Sequence, residues 1–249
     1  AEYNHGGEKM KRLIIALVVF GMFGLSNCGV GRNTRTVTIK GSDTMVILGQ
    51  RWAETYMKHH PDITVQITGG GTGVGIAALI NGGTDICAAS RSMTDKERNE
   101  VKKKRGQESQ ETPVALDGLA IFLNVDNPVQ ELSIEQLASI YRCVITDWKD
   151  VGGKPGRIIC YGRENSSGTY QYFKEHVLKK QSFATQVQPL PGTGAVINAV
   201  VQDKAGIGYG GIGYDKGVKV VAVRASADAK AIAPSLNNVE SGAYALVRK

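Results

Sequence analysis

Aromatic residues make up only 6% of this 249-residue chain, and it has just seven prolines, four histidines and four cysteines. The cysteines form no CxxC pair and no His-Cys spacing of the kind that holds zinc, so no metal site is expected. Nucleic-acid binding would want basic residues interleaved with exposed aromatics. The one dense basic run, Lys102–Arg105, lies instead in a polar helical stretch and reads as a solvated face, so no nucleic-acid partner is expected. The apolar run Leu13–Leu25 would make about 20 Å of helix against a hydrocarbon core of about 30 Å, too short to span a membrane. The 31 glycines cluster without a fixed period, which excludes a solenoid repeat. With 42% hydrophobic and 21% charged residues the chain is long enough for one large domain or two lobes, and global disorder is excluded.

A net charge of +7 favours anionic partners. Met10-Lys11-Arg12 followed by Leu13–Leu25 reads as a secretory signal, with residues 1–9 extraneous to the mature protein. Leu25-Ser26-Asn27-Cys28 resembles the lipobox of bacterial lipoproteins, although Asn27 stands where that motif usually has a small residue. That resemblance implies lipidation at Cys28, an extracytoplasmic location and attachment to the membrane through the lipid. Removing residues 1–27 takes away three basic and two acidic residues and leaves +6, so the basic balance belongs to the mature chain. An oxidising compartment would permit a Cys143–Cys160 disulfide, and Cys87 reads as a small buried hydrophobe.

Strand-like and helix-like stretches alternate along the mature chain. Thr36–Lys40 alternates β-branched residues, and Met45, Leu48, Trp52 and Tyr56 then recur at helical spacing up to Pro61. Ile63–Thr68 (strand), Gly69–Gly75 (loop) and Ile76–Ile80 (helical face) follow. After them come Asp85–Ala88 (strand), Ser90–Ser92 (loop) and Thr94–Arg105 (helix). This order predicts an α/β lobe with a largely parallel sheet. A second set begins with a strand at Leu119–Val125 and a helix at Ser133–Tyr141, opened by a Ser133/Gln136 capping box. A strand at Ile158–Tyr161, the loop Arg163–Gly168 and a helix through Val177 come next. Thr193–Gln202 reads as helix, Gly206–Tyr209 and Val218–Val223 as strands.

The informative loops each follow a strand and precede a helix, which is the carboxyl edge where ligands bind in open α/β sheets. They carry Ser42 and Thr44; Gly70–Gly73 with Thr72; Ser90 and Arg91; and Arg163–Thr169. Helix N-termini bring unpaired N–H donors and a partial positive charge, glycine admits close backbone approach, and arginine offers a planar fork of donors. Any single loop could be an ordinary helix cap. Four at one edge point to an anion site.

Gly41-Ser42-Asp43-Thr44, Gly69–Gly75, Asp85-Ile86 through Ser90-Arg91, and Arg163 through Thr169 resemble, in order and spacing, the phosphate-binding proteins of high-affinity phosphate importers. Trp148 with Val151-Gly152-Gly153 adds to the likeness, which covers about Thr36 to Lys249; the Arg-x-x-x-Ser-Gly-Thr element is its most specific part. The resemblance implies a two-lobe, type II periplasmic-binding-protein-like α/β fold with a ligand cleft between the lobes. Lobe I would be 36–113 with a return strand in 242–249, lobe II 114–241, and 28–35 a tether. It implies inorganic phosphate as ligand and the permease subunits of an ABC transporter as partners, with no cofactor, metal or catalysis. The implied phosphate ligands are Ser42, Thr44, Met45 (through its backbone), Thr72, Gly73, Ser90, Arg91, Arg163, Ser167, Gly168 and Thr169, with Asn165 positioning Arg163. Where some members carry an aspartate that accepts the phosphate proton, this chain has Ser90. Asp43 is then expected either to be that acceptor, rejecting sulfate by charge repulsion, or to cap the first helix. The family continues beyond the matching strand, so the chain is expected to be truncated at Lys249, leaving apolar surface of the first lobe uncovered.

Other readings are weaker. Gly208–Gly213 matches GxGxxG, but no helix pattern follows to receive a pyrophosphate. A serine hydrolase using Ser166 or Ser167 would need a base, and His59, His60 and His176 sit in no triad pattern. The nearest competitor is the same fold binding sulfate, molybdate or tungstate.

Overall fold

The structure, a computed structural model, describes residues 35–248; the leader and Cys28 lie outside them. β1 (Arg35–Gly41) leads through a 3₁₀ turn at Asp43–Met45 into α1 (Val46–His59). β2 (Ile63–Thr68), α2 (Thr72–Asn81), β3 (Ile86–Ala88) and α3 (Asp95–Arg105) complete the first lobe. Its three strands pair in the order β2-β1-β3, all parallel, as the alternation of strand and helix predicts. Helix α2 lies close on β1: a Cβ on Gly75 would sit 2.5 Å from the Lys40 carbonyl oxygen, so only glycine fits. Ile76 and Ile80 of α2 pack with Met93 and Val101 in a small core. Helix α1 falls where the spacing predicts it, but Trp52 and Tyr56 are about half exposed. Its inward side is Ala53, with Gly49 against Ile67.

The second lobe starts at β4 (Asp117–Leu123) and continues with β5 (Glu131–Ser133), α4 (Ile134–Tyr141) and a 3₁₀ turn at Trp148–Val151. β6 (Ile159–Arg163), α5 (Gly168–His176), β7 (Gln188–Leu190), α6 (Gly192–Gln202) and β8 (Gly206–Gly211) follow. β9 (Lys219–Val220), β10 (Ala222–Arg224), α7 (Leu236–Glu240) and β11 (Val247–Arg248) end it. The main sheet runs β11-β4-β8-β6-β7 and is mixed: β4 is antiparallel to β8, and β6 is parallel to both neighbours. From Leu119 to Leu123 β4 is apolar because both of its faces are covered. Leu119, Ile121 and Leu123 join the aromatic cluster of Tyr141, Phe173 and Tyr209, while Ala120 and Phe122 meet Ile197 and Val200. Each such buried large side chain contributes about 1.5–3 kcal/mol.

The strand expected to return to the first lobe is short and pairs within the second lobe instead. Only Val247–Arg248 is strand, and it pairs antiparallel with Gly118 and Asp117 at the start of β4. Tyr244 and Leu246 before it are buried in the second-lobe core. Cys87, Cys143 and Cys160 are free thiols. The Cys160 thiol and the Cys143 N–H both donate to the Ile140 carbonyl, at 3.6 and 2.9 Å, without a link between the sulfurs. Among the described residues no helix is long and apolar enough to cross a membrane.

Candidate anion-binding site

The four loops singled out in the sequence converge where the two lobes meet. β1 ends at Ser42–Thr44, and the Ser42 N–H donates to the Ala88 carbonyl at the end of β3, drawing the first and third loops together. The second loop joins them through the Gly71 N–H, which donates to the Gly41 carbonyl at 2.9 Å. Within this edge the Ser90 N–H donates to Thr72 Oγ1 at 3.1 Å and the two hydroxyls lie 3.2 Å apart; both residues are buried.

The fourth loop closes over these hydroxyls from the second lobe. Ser167 caps α5, its Oγ accepting the N–H groups of Thr169 and Tyr170 at 3.2 and 3.3 Å. That cap places Gly168 directly against the first lobe. A Cβ there would stand 2.4 Å from Ser90 Oγ and 2.7 Å from Thr72 Oγ1. The Gly73 N–H donates to the Ser166 carbonyl at 2.8 Å and seals the contact.

Arg163 ends β6 and is buried, its side chain only 1% exposed. Its Nη2 donates to Asp43 Oδ2 at 2.6 Å across the lobe boundary, and its Nη1 to Thr193 Oγ1 at 3.0 Å. Its Nε is buried without a partner among the described residues. An unmatched buried guanidinium donor costs free energy unless something accepts from it, so this N–H is a donor open to an acceptor such as a ligand or a water. Asp43 is held from the other side as well: its Oδ1 accepts the Gly70 N–H at 2.9 Å, and its backbone carbonyl accepts the Tyr214 hydroxyl at 2.7 Å. Burial, with the Asp43 charge behind it, raises the Tyr214 pKa and keeps that hydroxyl a donor.

The remaining expected ligands divide. Ser42 and Thr44 hydroxyls sit 2.9 Å apart beside Asp43, and the Met45 N–H closes the 3₁₀ turn onto the Ser42 carbonyl. The structure does not bring Arg91 to the cluster. Its two terminal nitrogens grip Glu97 at 2.9 and 2.8 Å, at the start of α3. The hydrogen bond from Arg91 holds the Glu97 carboxyl down at about 2. Asn165 is exposed and does not position Arg163; Asp43 and Thr193 do. Asp43 caps no helix with its side chain.

Three site residues escaped the sequence reading. Thr193 lies in Gly192-Thr193-Gly194 at the start of α6, the same triplet as Gly71-Thr72-Gly73, so a signal was there. Tyr214, and Arg248 behind Thr169 (Nη1 to Oγ1, 2.9 Å), carry no local signal, because their neighbours are distant in sequence. Hydroxyls, backbone donors and the buried Arg163 guanidinium beside the Asp43 carboxylate make an arrangement suited to an oxyanion. No nucleophile–base pair is among them: the hydrogen bond of Ser166 Oγ among the described residues goes to the Gly70 carbonyl, at 3.5 Å.

Residues 29–249 match the PBP superfamily domain. The phosphate-binding protein PstS of Pseudomonas aeruginosa is 35% identical over 235 residues, covering 88% of this chain and 71% of that protein. The chain belongs to the PstS family of phosphate-binding proteins. Members are substrate-binding transport proteins and not enzymes. Among solved structures, a substrate-binding protein of a phosphate ABC transporter from Clostridium perfringens, with bound phosphate, superposes with a TM-score of 0.77 at 30% identity. It covers 86% of this chain and 84% of its own. An ABC-type phosphate transport receptor from Vibrio cholerae gives 0.63 at 31% identity, covering 85% and 84%. This PstS-family chain therefore has the two-lobe periplasmic-binding-protein fold, with the residue cluster described above at the junction of its lobes.

Proposed function

We infer that this chain captures inorganic phosphate outside the cytoplasm and passes it to the permease of an ABC importer. The observation that carries the reading is Arg163, buried between Asp43 and Thr193 with one guanidinium N–H unmatched, at the start of the loop whose Gly168 meets Thr72 and Ser90. A tetrahedral oxyanion there would accept from Arg163, from the hydroxyls of Ser42, Thr44, Thr72, Ser90, Ser167 and Thr169, and from the backbone N–H of Gly168; the Met45 and Gly73 N–H groups are already given to the Ser42 and Ser166 carbonyls. Asp43 supplies an acceptor. Each carboxylate oxygen has two lone pairs, so Asp43 can receive the phosphate proton while still holding Arg163 and Gly70. Sulfate, with no proton to offer, would set two negative groups face to face. Attachment through a lipid on Cys28 is the matching proposal for the leader, read by mass spectrometry of the membrane-bound protein.

Calorimetric titration of the signal-free protein with phosphate and then sulfate, at mildly acidic and mildly alkaline pH, tests the reading. Tight phosphate binding with sulfate excluded is expected. Tight binding of sulfate, molybdate or tungstate without phosphate would reassign the site to that oxyanion.

A further inference from the structure

We propose that Arg248, from the last described strand, is a positioning residue that makes Thr169 a fixed hydrogen-bond donor toward the ligand. The inference rests on the phosphate reading of the site. Arg248 is buried, its side chain 3% exposed, and β11 sets it opposite Asp117 of β4. Its Nε and Nη2 both donate to Asp117 Oδ2, at 3.0 and 2.7 Å. The third arm, Nη1, donates to Thr169 Oγ1 at 2.9 Å. Tyr172 backs the guanidinium, with Cζ 5.9 Å from its ring centroid, while its hydroxyl donates to the Val247 carbonyl. The arginine therefore has one orientation.

A guanidinium has donors and no acceptor. Thr169 Oγ1 must accept from Arg248, and its own hydrogen is left to point elsewhere. Three neighbouring hydroxyls are treated alike by donors that cannot reverse. Thr72 accepts the Ser90 N–H, Ser167 the Thr169 and Tyr170 N–H groups, and Thr193 accepts Arg163 Nη1. Each hydroxyl thus has a lone pair filled by a donor that cannot reverse, which favours giving its own proton, the arrangement an anion needs, and lowers the reorientation left for binding. For Thr72 and Ser167 the orienting donors come from the site loops themselves. Arg248 comes from the far end of the chain, and it links Thr169 to the strands that begin and end the second lobe.

The test is a double-mutant cycle in the full chain, read as phosphate affinity. Arg248→Gln is expected to weaken binding about tenfold, as is Thr169→Val, by loss of a charge-assisted bond. In the Thr169→Val background, Arg248→Gln should change affinity less than about twofold, because the hydroxyl it orients is gone. Equal losses in both backgrounds would overturn the proposal and leave Arg248 a packing residue. If Arg248→Gln does not fold, Asp117→Asn loosens the same clamp. It is expected to weaken binding only when Thr169 is present, and equal losses would again overturn the proposal. Should the unsubstituted chain fail to bind phosphate, the functional reading falls by itself. The cycle is then run with whichever of sulfate, molybdate or tungstate binds, and absence of coupling there rejects the role of Arg248.

Discussion

At the scale of single residues, two charged pairs that look alike have different expected consequences. Asp43 and Arg163 are 120 positions apart and join the lobes, whereas Arg91 and Glu97 pin a loop to the start of α3. Asp43→Asn is expected to narrow the preference for phosphate over sulfate by about tenfold or more, since the repelling charge is removed. Competition calorimetry reads it, and an unchanged ratio would mean that the proton is accepted elsewhere. Arg91→Ala is expected to leave phosphate affinity within about twofold and to cost about 0.5–1 kcal/mol of stability, measured by urea unfolding. Its pH signature is distinct. Glu97 has a folded pKa held at about 2 by Arg91, below its ordinary 4.5. Because that pKa is depressed on folding, the pair's contribution is full above the ordinary carboxylate range and is lost as pH falls toward 2. Arg91→Ala should remove that part of the acid-side decline.

At the scale of elements, the loops are aimed by caps and by close packing. The capping box expected at Ser133 and Gln136 is present, with both reciprocal bonds made, at 3.1 and 2.9 Å. A second one, Thr94 with Glu97, starts α3. Ser133→Ala is expected to cost about 1 kcal/mol and to lower the melting temperature by about 2–4 °C, seen by calorimetry, without touching phosphate affinity. Helix α1 shows where periodicity misleads. Met45, Leu48, Trp52 and Tyr56 recur correctly for a helix, but the helix meets its sheet through the small residues Gly49 and Ala53. Spacing reports that a helix forms; which face is buried depends on how closely the partner approaches.

At the scale of the whole molecule, the lobes touch through the groups that would hold the ligand: Asp43 with Arg163, Gly73 with Ser166, and Tyr214 with Asp43. A ligand seated there binds the folded chain and not the unfolded one. Phosphate at a hundred times its dissociation constant is therefore expected to add about 2.7 kcal/mol, raising the melting temperature by about 5–10 °C. Sulfate at the same concentration should not, and equal shifts from both would reveal a general salt effect.

By itself the sequence determined the kind and order of the elements, because hydrophobic period, glycine and cap residues act within a few positions of one another. It also placed each of the four donor-rich loops at the carboxyl end of its strand, three in the first lobe and one in the second, since strand-loop-helix order puts them there. Tertiary structure alone decided which donors face each other. Arg91 turned to Glu97, Arg163 was held by Asp43 and Thr193 in place of Asn165, and the second sheet became mixed by pairing β4 with β8 and β11. It alone brought Arg248 to Thr169, 79 positions away. Such pairings depend on contacts between distant segments, each shaped by how the others pack, and no local pattern carries that information.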